Sequence, residues 1–191
     1  AAILVKLNSS GGVEWCRRFY GRWWSMAFNV EVAPDGGYVL TGLTPPSGYD
    51  HGTQAFVLKT DPQGEVEWEW MFGEDCVDEA GVDVEVAPDG GYLVLINRLV
   101  NKSCSIMMLV KLRSDGEVAW SREYADECRS GHDMEVTPDG GLIVTGAVKR
   151  GFKDAFLLKL DPQGGVEWES YLREQAGYPQ LTCLEGLGVS L

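Results

Sequence analysis

The stretch AFVLKTDPQGEVEWEW, which begins at Ala55, returns as AFLLKLDPQGGVEWES from Ala155. Looser copies stand at Ile3 (ILVKLNSSGGVEWCR) and Met108 (MLVKLRSDGEVAWSR). Trp15, Trp68, Trp120 and Trp168 mark a common register, at spacings of 53, 52 and 48 residues. A unit of about 50 residues, repeated, cannot bury its apolar face alone, so the copies must stack on one another. This restricts the chain to propellers, solenoids and arrays.

A second motif interleaves with the first. NVEVAPDGGYVLTG starts at Asn29, DVEVAPDGGYLVLI at Asp83 and DMEVTPDGGLIVTG at Asp133. Each full repeat therefore holds two hairpins. Strands A and B flank Pro-Asp-Gly-Gly; strands C and D flank a turn such as Asp-Pro-Gln-Gly and end in the tryptophan motif. Proline presets φ, aspartate bonds its own backbone and glycine accepts positive φ, so both turns are built for tight reversals. The flanks are short, β-branched and aromatic. The fold class expected is all-β: a small β-propeller-like array of about four repeats of four antiparallel strands, with the first and last blade incomplete. One domain spans 1–191, divided into a half blade at 1–27, repeats at 28–72, 82–124 and 131–172, and a closing segment at 173–191.

Strand faces support this order. In VEWEW, Val66, Trp68 and Trp70 alternate with Glu65, Glu67 and Glu69, which predicts one buried and one wet face. Acidic side chains along an outer strand also discourage edge pairing. Strands B and C read as apolar on both faces (YLVLI, AFLLKL), as expected of strands between neighbouring sheets. Strand A alternates again, with Val30 and Val32 against Asn29 and Glu31.

These features resemble the bacterial and archaeal extracellular repeats known as seven-bladed β-propeller repeats. The residues that carry the resemblance are DAFLLKLDPQGGVEWESYL and EVAPDGGYLVL, and it covers most of the chain. It implies a propeller architecture and a surface location, and is poor for function. The chain departs from that family in holding four C–D hairpins and only three clear A–B hairpins. It opens on an orphan C–D hairpin (3–19) and closes on YPQLTCLEGLGVSL, where a fourth A–B hairpin would stand without its Pro-Asp-Gly-Gly turn. Two completions are open. The closing segment pairs with the first hairpin and shuts a four-bladed ring, or another subunit finishes the blade by strand addition.

The 29 Asp plus Glu against 16 Lys plus Arg leave a net charge of −13. That repels phosphate backbones and anionic membranes, so nucleic-acid binding is not expected. No apolar run is long enough for a membrane-spanning helix, so no membrane insertion is expected. There is no initiator methionine and no signal peptide, and a cleaved leader would leave no trace.

The cysteines are Cys16, Cys76, Cys104, Cys128 and Cys183, with no C-x-x-C spacing. A Cys16–Cys183 bridge would staple the two ends. Cys104 is placed to pair with Cys128 or Cys76, in loops at the same end of a blade. Disulfides imply an extracellular or cell-surface setting. Sequons at Asn8 and Asn101 fall in turns or loops and are candidate glycosylation sites.

Glu31, Glu85 and Glu135 recur on strand A, with Asn29, Asp83 and Asp133 two positions earlier. In a ring they would line the axis. The expectation is a water-filled polar channel without a metal; calcium is the cation such carboxylates would take. For catalysis there are two histidines, His51 and His132, and no nucleophile elbow, zinc helix or phosphate loop, so no catalytic residue is assigned and no cofactor is expected. Trp23 and Trp24 have no counterpart in the other repeats and are candidates for partner binding, with stacking on a sugar or packing under the closing segment as the alternatives. The function expected is a non-enzymatic extracellular structural protein that self-assembles into an oligomer or filament. The alternatives are a glycan- or protein-binding adhesion module and, last, an enzyme.

Overall fold

The structure, a computed structural model, describes residues 1–20, 25–46, 52–73, 77–101, 104–149 and 153–172. Among them there is no helix. The strands are β1 (Ala2–Leu7), β2 (Val13–Phe19), β3 (Met26–Val32), β4 (Tyr38–Thr44), β5 (Gln54–Thr60), β6 (Val66–Phe72) and β7 (Asp78–Val86). They continue as β8 (Tyr92–Asn101), β9 (Cys104–Leu112), β10 (Val118–Tyr124), β11 (Arg129–Val136), β12 (Leu142–Lys149), β13 (Lys153–Leu160) and β14 (Val166–Leu172). They form a two-stranded sheet, β1–β2, and three four-stranded meanders, β3–β6, β7–β10 and β11–β14. Every pairing within these sheets is antiparallel and sequential, so each repeat is one sheet in the order A-B-C-D. Trp23, Trp24, His51, Cys76, Cys183 and the closing segment 173–191 lie outside the described residues.

The turns form as their chemistry dictates. Asp35, Asp89 and Asp139 each accept the backbone N–H of the second turn glycine, Gly37, Gly91 and Gly141. Asp61 and Asp161 hold the C–D turns by accepting two backbone N–H groups each. Asn8 does the same work in the first hairpin, accepting from Ser10 and Gly12. A turn role therefore accounts for Asn8 whether or not a glycan is attached.

The sheets stack in chain order with an apolar layer at each seam. Ala2 and Phe19 of the hairpin meet Leu40, Phe56 and Leu58. Val39, Ala55 and Val57 then meet Val84, Tyr92, Val94 and Val110. The third seam joins Leu93, Met107 and Leu109 to Met134, Val144, Phe156 and Leu158. In the meanders β3–β6 and β7–β10, strands B and C are thus largely covered on both faces, as expected, with one correction. Lys59, Lys111 and Lys159 interrupt the apolar run and are buried.

A buried ammonium must be paired. Lys59 Nζ donates to Asp35 Oδ2 and Glu67 Oε2 at 2.7 Å each and to the Thr60 carbonyl at 2.9 Å. Lys159 repeats the arrangement with Asp139 and Glu167 at 3.0 and 3.2 Å. Lys111 has Asp89, but Ala119 stands where the glutamate would be. The lysine thus ties the A–B turn to strand D. The β-bulges between Lys59/Thr60 and Lys159/Leu160 lie where each lysine meets the glutamate of its D strand. This corrects the strand D expectation. Glu67 is exposed but ion-paired, whereas Val66 and Trp70 are exposed rather than buried.

Candidate functional site

Two features of the stack are candidates for function: the acidic line of first strands and the faces left at either end of the array. Strands β3 and β11 both pack against β7. A bulge in each, at Ala27/Asn29, Gly81/Asp83 and Gly131/Asp133, re-aims the polar side chain that follows. Asp83 is buried. Its Oδ2 accepts the backbone N–H of Met134 at 2.7 Å and so links the second meander to the third. The equivalent Asn29 has a buried Oδ1 with no hydrogen-bond partner.

Glu31, Asp83, Glu85, Asp133 and Glu135 converge closely enough to repel one another. Burial, then the charges of Glu31, Asp83 and Glu135, pushes Glu85 up to about 8. Burial raises Asp83 to about 6, opposed by its bond from Met134 and reinforced by Asp133. Glu31 is raised by burial and then by Glu135, which lies two sheets away in the stack. The five candidate axial residues are therefore brought together. Among the described residues, however, no three His, Cys, Asp or Glu side chains form a group that would hold a metal ion. The arrangement disfavours the charged forms of Glu85, Asp83 and Glu31, through burial first and neighbouring carboxylates second.

The end faces carry the second feature. One contact recurs at each of the three interior seams. The ring of Trp15 lies over Gly64, that of Trp68 over Gly116 and that of Trp120 over Gly164; a Cβ on these glycines would meet the ring at 3.0, 2.8 and 3.0 Å. Glycine is required twice over, because these turn positions also have φ of +81°, +86° and +77°. Trp15 and Trp68 further meet Tyr38 and Tyr92 with ring centroids 5.6 Å apart. Tyr124 donates its hydroxyl proton to the Gly164 carbonyl at 2.6 Å. The fourth tryptophan and the fourth glycine are left over. Trp168 is 45% exposed, and among the described residues nothing lies within 4 Å of the place a Cβ on Gly11 would take. The common register of the four tryptophans does not bring equal burial. Their register is equivalent, each opposite a strand C lysine, but three are half-buried and the last is exposed.

The first hairpin shows the matching gap. Ile3, Val5 and Leu7 are 58%, 44% and 53% exposed, while Phe56, Leu58 and Thr60 at the same repeat positions are 0%, 1% and 0%. A further signal was present in the sequence. Gly81 and Gly131 let β7 and β11 approach Thr41 and Leu95 of the preceding sheet, and a Cβ on Gly81 would clash with Thr41 Oγ1. The equivalent residue on β3 is Ala27, and the sheet preceding β3 has no B strand to approach.

Among the described cysteines, Cys104 and Cys128 form a disulfide with Cα atoms 4.9 Å apart. It ties strand C of the second meander to the loop that enters the third. Cys16 is exposed and free, and Cys183, its expected partner, lies outside the described residues. Asn101 is exposed at the end of β8, and the rest of its sequon lies outside the described residues. Among the described residues no helix is long and apolar enough to cross a membrane. No family model and no curated protein matches the chain.

Proposed function

We propose that this chain is a non-enzymatic, extracellular structural protein of β-propeller type that self-associates. One observation carries the assembly. The face bearing Ile3, Val5 and Leu7 is exposed, although its three repeat equivalents are buried under a neighbouring sheet. An apolar face that interior repeats always cover is an incomplete interface. The propeller form is supported by the sequential meanders and by first strands that converge on a common acidic line. The extracellular setting is supported by the Cys104–Cys128 disulfide, since such bonds persist in oxidising compartments. Sedimentation of the intact protein over a range of concentrations, with and without reductant, tests the proposal. A mass that climbs with concentration is expected. A monomer throughout would remove the assembly, and two free thiols at Cys104 and Cys128 in the native protein would remove the compartment.

A further inference from the structure

We infer that the occupant of the exposed hairpin face is the last sheet of a second copy of this chain, seated face to face by placing its Trp168 over Gly11. The inference rests on the self-association proposed above and adds the partner surface, its polarity and the contact that locks it. It differs from strand addition, because the joint is a stack of two sheets and not a shared edge.

The interior seams define what such a joint needs. The leading side presents the strand D tryptophan and, four residues on, a large side chain: Phe19, Phe72 or Tyr124. The receiving side presents a C–D turn glycine and three alternating strand C residues, such as Phe56, Leu58 and Thr60. The last sheet retains the leading set in full, as Trp168 and Leu172, exposed by 45% and 54%. The first hairpin retains the receiving set, as Gly11 with Ile3, Val5 and Leu7. Each end thus lacks the surface that the other end displays. Exposure of Val13 and Val166 does not bear on this, since Val66 and Val118 are exposed in the interior repeats as well.

Charge favours the same pairing. Residues 1–20 carry Lys6, Arg17 and Arg18 against Glu14 alone, in a chain of net charge −13. Arg18 lies opposite Ile3 and so on the receiving face. On β14, Glu167 is already ion-paired to Lys159, and Glu169 lies opposite Leu158 on the other face and pairs with Arg129, so the attraction comes from the acidic body as a whole. A basic tip meeting an acidic body orients the encounter head to tail. Because the two surfaces differ, the contact is heterologous, and its repetition extends an array.

Two variants test it: Ile3→Asp with Val5→Asp, which spoils only the receiving face, and Trp168→Ala with Leu172→Asp, which spoils only the leading face. All four positions are exposed, so the folds should survive; far-ultraviolet circular dichroism and an intact Cys104–Cys128 bridge check this. Each variant alone should associate at least about tenfold more weakly than the intact chain. Mixed in equal amounts, they should form a heterodimer and stop there, because one sound joint remains. If the intact protein assembles and neither variant weakens it, this joint is wrong while self-association stands. If both variants are monomeric and the mixture stays monomeric, the head-to-tail polarity is wrong. If the intact protein is itself monomeric at every concentration, the self-association proposal falls and this inference with it.

Discussion

Phe56 and Ile3 hold the same place in the repeat, both large and apolar on strand C beside a D-strand neighbour. One is wholly covered and the other is 58% exposed. Leu58 and Val5 differ in the same way. Binary patterning specifies that these side chains want a neighbour; it does not supply one. What separates the two regions is the preceding sheet, which exists for β3–β6 and is absent for β1–β2 among the described residues. Burial in a stacked array is a property of pairs of repeats, and the terminal faces show what one repeat looks like without its pair.

The sharpest way to break this comparison is to truncate the two equivalent residues. Phe56→Ala should destabilise the fold by about 3–5 kcal/mol, through lost transfer energy and the cavity left behind. Ile3→Ala, measured at concentrations where the chain is monomeric, should change stability by no more than about 0.5 kcal/mol. Urea midpoints of the two variants give the answer, and equal losses would show that the hairpin face is covered in solution.

The covalent tie separates interior from end in another way. Replacing Cys104 and Cys128 together by serine should cost about 3 kcal/mol in the chain-entropy picture, for a loop of this length. The intact and double-serine chains should differ in thermal midpoint under non-reducing conditions and converge with reductant. The first hairpin has no such tie among the described residues, and its amides should exchange faster than those of β8 and β9.

The tryptophans repeat the contrast at smaller scale. Trp68→Ala removes a ring seated on Gly116 and Tyr92 and should cost about 2–3 kcal/mol, less than a fully buried aromatic because the ring is half in water. Trp168→Ala should be neutral to within about 0.5 kcal/mol in the monomer. Fluorescence should place Trp168 among the residues most accessible to a soluble quencher.

The smallest effect expected is that of pH, which sets the axial carboxylates against the lysine clamps. Glu85 and Asp83 have folded pKa values raised to about 8 and about 6. Their contribution is fully present below the ordinary carboxylate range and is lost as pH rises through those values. Asp35 and Asp139 run the other way. The hydrogen bond from Lys59 holds Asp35 low, and bonds from Thr137 and then Lys159 hold Asp139 low. Their contribution is present at neutral pH and lost as the solution is acidified through those lowered values. Glu85→Gln should therefore stabilise the protein at pH 9 by about 1–2 kcal/mol, discounted for water at a half-buried site, and have little effect at pH 4. A stability profile unchanged by Glu85→Gln would show that the carboxylates do not repel.

Much of this was legible in the chain. The strand order A-B-C-D, the turns at Asp35, Asp61, Asp89 and Asp161, the four-fold tryptophan register and the pairing options of Cys104 follow from local chemistry repeated at a fixed period. A turn aspartate bonds backbone two to four residues away, and alternation is set within one strand. The convergence of Glu31, Glu85 and Glu135 was also readable, because equivalent residues of stacked repeats must lie near one another. The buried lysines were missed. Lys59, Lys111 and Lys159 look like a break in an apolar strand until a bulge and a turn eight to 24 residues away close around them.

Sequence periodicity thus specifies the sheet, its turns and the sides that seek burial, since all three depend on neighbours along the chain. Which of those sides finds a partner is settled between sheets. Gly81 can be understood only beside Thr41, and Gly64 only beneath Trp15. Gly11 has the same conformation as Gly64, with φ of +82°, yet none of the described residues lies over it. The same residue type in the same turn is a filled seat in one case and an open one in the other, because van der Waals contact requires a second surface that no single repeat encodes.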